Sequence, residues 1–416
     1  MSNATRILIA LILGLVLGLG ASSLAPGLAD GAASIADPVG TLWLNGLRMT
    51  IVPLVVALLI TGIAQTAEAA RAGAVAGRAL VWITCVMCAS AVMGAILMPT
   101  FLALVPMPVA AADALKGALT TTGQVTPPPA FAEFVKSIIP TNVVASAASD
   151  AILPLLIFAL VFAFAITRLP PEPRSLLTRF FAAVADAMVI VIDWVLRLAP
   201  IGVFALAFVV GARSGFAALG ALFHYVATVA SVGIVISLIA YLVAVFAARW
   251  KLTDYARQIA PVQALAVSTQ SSLACLPIML NRSQALGVQT ATAEITLPMA
   301  VALMRATGPA MNLAVALYVA NWFGAHLTPA TYAVAIFGAV LTSMGAVSLP
   351  GQVSFVTSIA PLCLILGVPV EPLALLIAVE TLPDIFRTLG NAMWDVAVTG
   401  AVARQTNTMG DADAIS

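Results

Sequence analysis

Apolar runs longer than the roughly 20 residues that a helix needs to cross a bilayer recur along this chain. That feature constrains the fold more than any other. Of the 416 residues, 8% are charged and 62% hydrophobic, against about 25% charged in a soluble globular protein. The expected fold class is therefore an all-α integral membrane protein that crosses the lipid bilayer several times. The formal net charge is +1, and no basic run points to a nucleic-acid partner.

The spans are expected at about residues 7–24, 38–65 and 80–105, then from near 138, then at 176–210 and 217–248. Pro140 and Pro154 should break the fourth. Residues 106–129 are rich in Pro, Thr and Ala and read as an external loop. Residues 1–6 and the apolar run behind them could pass for a signal peptide cleaved near Ala21–Ala25, but the run is long enough to be a retained first span. Leaving aside Arg48, Arg197, Arg282, Arg305 and Arg387, which lie in or beside apolar segments, Arg6, Arg71, Arg78, Arg168, Arg174, Arg179, Arg249, Lys251, Arg257 and Arg404 fall at one set of ends, and only Lys116, Lys136 and Arg213 at the other. The positive-inside rule then places both termini in the cytoplasm, with the chain in a cell inner (plasma) membrane.

After Lys251 the pattern changes. Residues 259–279 are apolar but interrupted by Ser268–Ser272 and closed by Leu276-Pro277. A full span is expected at 295–322. Residues 332–366 repeat the theme around Ser343–Ser348 and Leu349-Pro350-Gly351. The C-terminal half thus reads as a broken hairpin and a span, twice over. Polar, Gly/Pro-broken backbone at bilayer depth is tolerated only where protein or water covers it. Paired interruptions of this kind point to a transporter site near the midplane. Alternatively, they are two kinked spans with loose Gly/Ser packing.

The most informative stretch is 380–395. Glu380, Asp384, Arg387, Asn391 and Asp395 recur at steps of four, three, four and four. On a helix all five fall within an arc of roughly 80°, and Thr388 widens it to about 100°. Each charge near mid-bilayer costs about 2.5–3.5 kcal/mol on an insertion scale, so the stripe should face protein or a cavity. Its plainer reading is a polar seam that only glues helices together. Arg387's planar fork suits a carboxylate, and Asp384, one turn away, suits an ammonium.

Cys85 and Cys88 form a C-x-x-C inside a predicted span, where two small buried hydrophobes are expected in preference to a metal or redox pair. His224 and His326 have no ligand-like neighbours in the sequence. No cofactor and no metal site is expected beyond a transported Na+ or H+.

Five stretches carry a family likeness: Leu47-Arg-Met-Thr-Ile-Val-Pro-Leu-Val-Val-Ala57; Ile139-Pro-Thr-Asn142; Ser271-Ser272 with Leu276-Pro277; Ser343 with Leu349-Pro350; and Asp384-x-x-Arg387-Thr388-x-x-Asn391-x-x-x-Asp395, the most specific. With these, nearly the whole chain resembles the dicarboxylate/amino-acid:cation symporters, the glutamate-transporter homologues. The resemblance implies eight transmembrane helices plus two re-entrant helical hairpins, built as inverted repeats. It implies a homotrimer with scaffold helices in 1–75 and 137–215. A moving transport domain would take 76–105 and 216–404, with an external loop at 106–136 and a disordered cytoplasmic tail at 405–416. It also implies roles. Arg387 would bind the side-chain carboxylate of glutamate, aspartate or a related C4–C5 dicarboxylate. Asp384 would take the α-amino group, with Thr388 and Asn391 completing the contacts. Ser271, Ser272 and the backbone around Leu349 and Pro350 would hold the α-carboxylate. Asn391 and Asp395 would contribute to a sodium site. An uncharged residue tends to stand at the Asp384 position in relatives that carry plain dicarboxylates, so Asp384 favours an amino acid.

The chain departs from the family at its seventh span. Where the family carries Asn-Met-Asp-Gly-Thr, this chain reads Met304-Arg305-Ala306-Thr307-Gly308. Two sodium ligands are lost and Arg305 is gained. Ile83, Val86 and Met87 stand where third-span hydroxyls share that cation site, Ala346 replaces a threonine, and Gln270 an arginine or serine. Arg305 is then expected either to act as a tethered counter-ion for Asp395 or Glu380, or to extend to the cytoplasmic edge. The first reading predicts coupling by fewer sodium ions, or by a proton on Glu380 or Asp395. Two rivals remain at this level. One is a membrane ligand sensor that kept the fold and lost transport. The other is a serine hydrolase using Ser271 or Ser272, which has no histidine in a motif-level relation to it.

Overall fold

A computed structural model describes residues 3–24, 26–70, 73–107, 136, 138–214, 217–345 and 351–409. Among these residues the fold is helical, and the one extended feature is an isolated bridge between Val288 and Met409. The 106–129 loop falls outside the described residues except for its first two, as do the second hairpin tip with Leu349 and Pro350, and positions 410–416.

Several long runs are helix pairs. The expected 38–65 span is α2 (Pro26–Arg48) followed by α3 (Ile51–Ala69). At the joint the Thr50 hydroxyl donates to the Leu47 carbonyl, 2.7 Å away, closing α2. Pro53 then sits in the first turn of α3, where its missing N–H costs nothing. The expected 176–210 span is likewise α7 (Pro171–Arg197) and α8 (Ala199–Ser214). Pro200 at the second position of α8 cannot continue the α7 ladder. In the fourth region α5 (Val143–Ala148) and α6 (Ile152–Thr167) part at Ser149–Ala151, where Asp150 is left-handed at φ 54°. Pro154 belongs to the first turn of α6 and so opens that helix instead of breaking it.

The remaining early elements, α1 (Asn3–Leu24), α4 (Ala74–Leu104) and α9 (Ala217–Phe246), follow the expected spans closely. Six helical segments among the described residues are long and apolar enough to cross a membrane, fewer than the eight expected. The fourth region falls short in length, and the last helix is too polar to qualify. Cys85 and Cys88 are corrected in one respect: both are exposed on α4, not buried.

The C-terminal half holds the pattern read from the sequence. α10 (Leu252–Thr269) and α11 (Leu276–Ala285) pack together across a tip at 270–275. Gln270 ends α10 in a left-handed conformation at φ 50°, and Pro277 opens α11. α14 (Pro329–Gly345) and α15 (Gly351–Ile365) pack against each other in the same way. The expected 295–322 span is broken, however, into α12 (Thr290–Leu303) and α13 (Gly308–Trp322). A short α16 (Pro372–Leu376) leads into α17 (Thr381–Gln405). Order extends past the 405 boundary, because the Gln289 N–H donates to the Thr408 carbonyl at 3.0 Å.

α17 is the axis of the molecule. It packs against α9, α10, α12 and α4. From Asp384 to Ala403 only Ile385, Phe386 and Leu389 keep part of their surface uncovered. Gly390 permits this enclosure: a Cβ there would meet Ser237 Oγ of α9 and Thr307 Cγ2 at 2.4 Å.

Candidate functional site

The stripe on α17 turns wholly inward. Glu380, Asp384, Arg387, Thr388, Asn391 and Asp395 are all buried, with Asp395 fully enclosed. Arg387 is the hub. Its Nη1 forms ion pairs with Glu380 and, at 3.0 Å, with Asp384 Oδ1. The second oxygen of Glu380 accepts a hydrogen bond of 3.2 Å from the Tyr225 hydroxyl on α9. Both acids are thus held by the same nitrogen, on one corner of the guanidinium. Arg387 Nε and Nη2 are buried and have no hydrogen-bond partner among the described residues. These two nitrogens form the side edge of the fork, the edge that grips a carboxylate with two parallel bonds.

The break between α12 and α13 lies against this helix. Met304 is extended there, at φ −101° and ψ 119°, and Pro309 sits at the second position of α13. The exposed backbone finds long-range partners. The Thr307 N–H and hydroxyl both donate to Asn391 Oδ1, at 3.0 and 2.8 Å. The same hydroxyl also lies 2.9 Å from the Arg387 carbonyl, a second acceptor for its one proton. Thr307 therefore pins the break to the residue that carries the guanidinium. Asn391 is a strut here, its side-chain oxygen engaged by Thr307. Local sequence gave Thr307 no role. The only signal was Gly308-Pro309, which marks a helix start.

Arg305 projects from the break and donates through Nη1 to Ser354 Oγ on α15, 2.6 Å away. It makes no ion pair with Glu380, whose cationic partner is Arg387. Nor does it extend to an edge without contact. Among the described residues Asp395 has no hydrogen-bond partner at either carboxylate oxygen, and Arg305 lies within electrostatic reach of it. Arg305 and Asp395 thus share an electrostatic neighbourhood without direct contact.

Ser271 and Ser272 are half-buried at the first tip. Ser271 Oγ accepts from its own tip, from the Ala274 N–H at 3.3 Å. No hydrogen bond joins either serine to the α17 stripe among the described residues. The tip is connected to the stripe lower down, where α10 and α11 pack on α17 and the buried Cys275 lies within electrostatic reach of Asp395. Among the described residues no cluster of His, Cys, Asp and Glu could hold a metal ion.

The chain is 26% identical to the proton/glutamate-aspartate symporter of Escherichia coli (strain K12), over 97% of this chain and 92% of that protein. It is 26% identical to a C4-dicarboxylate transport protein of Laribacter hongkongensis (strain HLHK9), over 91% and 85%. It is 25% identical to a proton/sodium-glutamate symport protein of Bacillus caldotenax, over 87% and 85%. The model of the sodium:dicarboxylate symporter family matches residues 4–405. The chain belongs to that family, whose members are membrane symporters and not enzymes.

Proposed function

We propose that this chain takes up an acidic amino acid, glutamate or aspartate, or a related C4–C5 dicarboxylate, by symport with Na+, H+ or both. The observation that carries the reading is the free Nε–Nη2 edge of Arg387, buried and aimed away from the two acids that hold Nη1. One carboxylate of the substrate docks on that edge. Asp384, held by Arg387 through Oδ1, receives an ammonium, which favours an amino acid over a plain diacid. Thr388 and the Asn391 amide complete the pocket. Ser271, Ser272 and the backbone near Leu349 and Pro350 close it from the two hairpins. The hairpins act as re-entrant gates in an alternating-access cycle, and ion binding favours the closed form through its differential affinity. α1–α3 and α5–α8 serve as the scaffold of a homotrimer. The protein resides in the inner membrane with both termini in the cytoplasm.

Coupling rests on Asp395. A buried carboxylate without a donor calls for a positive partner, a cation or a proton. Met304 and Ala306 carry no side-chain oxygen, and Arg305 already supplies a fixed positive charge within reach of Asp395. The chain therefore couples to fewer sodium ions than a site with a full ligand set, and proton coupling takes a larger share.

Arg387→Lys tests the substrate site. Lysine keeps the charge beside Glu380 and Asp384 but has no bidentate edge. Loss of two charge-assisted bonds should weaken aspartate or succinate binding by at least about a hundredfold. Unchanged affinity, read by calorimetry on a folded variant, would remove the assignment. Arg305→Met tests the coupling: uptake into proteoliposomes under imposed Na+ or H+ gradients should become more dependent on Na+. An ion dependence identical to the parent's would sink the fixed-cation idea.

A further inference from the structure

We propose that His224, with Tyr318, forms a proton-binding site linked to the Arg387 pocket through Tyr225 and Glu380. This rests on the symport reading above for its coupling but not for its chemistry.

His224 lies on α9 and is 9% exposed. Its Nε2 is 2.7 Å from the Val105 carbonyl at the end of α4. A carbonyl only accepts, so Nε2 carries a proton. Its Nδ1 is 3.1 Å from the Tyr318 hydroxyl, which also lies 3.2 Å from the Ala221 carbonyl. The hydroxyl has one proton and two places to put it. With a neutral ring, it must donate to Nδ1, and two hydrogen bonds form. With an imidazolium, Nδ1 donates to the hydroxyl oxygen, the hydroxyl turns to Ala221, and three form. Nothing else has to move. The arrangement thus has a built place for a second proton, which arrives at Nδ1 and leaves from it. The last carbonyls of the 31-residue α4 add the negative end of a helix dipole beside the ring.

The link inward is short. The Tyr318 ring meets Tyr225 edge-to-face with centroids 5.3 Å apart, and the Tyr225 hydroxyl donates to Glu380, the partner of Arg387. A ring contact, not a hydrogen bond, is the middle step. Of the elements packed against α9, α17 brings Asp384 and Arg387, with Glu380 at its N-cap, and α8 ends on Arg213, while Tyr225 stands beside His224 on α9 itself. α4 brings none in its last turns. α10 brings Asp254, Tyr255 and Arg257 at the opposite end of α9, where Tyr255 packs on Tyr241. A positive charge added at His224 favours an anion in the Arg387 pocket. By reciprocity a bound anion favours the proton.

The chain has two histidines, and the other, His326, is exposed, so His326→Ala leaves a single reporter. In nanodiscs holding the 15N-histidine-labelled variant, His224 should pass from the neutral to the imidazolium pattern as the pH is lowered. Tyr318→Phe removes one bond from the neutral form and two from the cation, so the midpoint should fall. Saturating aspartate or succinate should raise the midpoint by about half a pH unit, roughly a threefold gain in proton affinity. A ring that stays neutral to pH 5, or a midpoint unmoved by Tyr318→Phe, overturns the proton site. A midpoint deaf to a ligand that calorimetry detects in the same sample overturns the link. If neither ligand binds, the symport reading fails, while the ligand-free titration still decides the proton site. In uptake, His224→Gln should flatten the pH profile and spare substrate exchange at high pH, and an unaltered profile counts against the site.

Discussion

The outer pair α1 and α8 and the inner pair α13 and α17 are all helices, yet they are stabilised in opposite ways. α1 turns Ile12, Leu13, Val16 and Leu17 outward, each about half exposed. It meets α8 through close backbone approach, where a Cβ on Gly18 would come within 2.2 Å of the Phe208 carbonyl oxygen. In α13 every residue except Asn321 is buried, and α17 hides two acids and an arginine, with a third buried acid, Glu380, at its N-cap. Lipid is as apolar as leucine, so the outer pair gains little from hiding its side chains and relies on fit. The inner pair is sealed on every side because its polar groups have nowhere else to go. Exposure therefore separates the structural periphery from the chemistry.

Matched substitutions sharpen this contrast. Leu313→Ala on α13 should leave a cavity and cost about 2–5 kcal/mol. Leu13→Ala on α1 should shift stability by no more than about 0.5 kcal/mol. Denaturant unfolding in one detergent compares the two, and equal losses would erase the distinction. Gly390→Ala should cost about 1–3 kcal/mol, because its Cβ collides with Ser237 and Thr307. Gly20→Ala, with nothing within 4 Å, should be neutral or stabilising by up to about 1 kcal/mol. A small effect is expected at the rim as well. Arg48 pairs with Glu371 at 2.8 Å, with side chains 36% and 28% exposed. Arg48→Met should cost about 0.2–1 kcal/mol, less at high salt.

The α17 stripe was legible because helical period alone places its residues on one face. The first hairpin was legible because Leu276-Pro277 marks a helix start. The breaks at Leu198 and at 304–307 were not, although Pro200 and Pro309 stood beside them. A proline in an apolar run can kink a span or end it. The outcome depends on partners far along the chain, such as Asn391 for the freed Thr307 amide. The Tyr225–Glu380 and His224–Tyr318 contacts span 155 and 94 residues, and no local pattern encodes such pairs.

The enclosure of α17 bears on how the molecule is made. Its 25 residues, about 37 Å of helix, could cross a bilayer. Yet a segment with this many charges partitions poorly into lipid unaided. It is synthesised after α4, α9, α10 and α12, the helices that surround it. A ribosome thus delivers the most lipid-averse segment into a slot its predecessors have already lined, and biogenesis becomes an act of docking. Variants that loosen that slot would be cleared by quality control before any question of uptake arises.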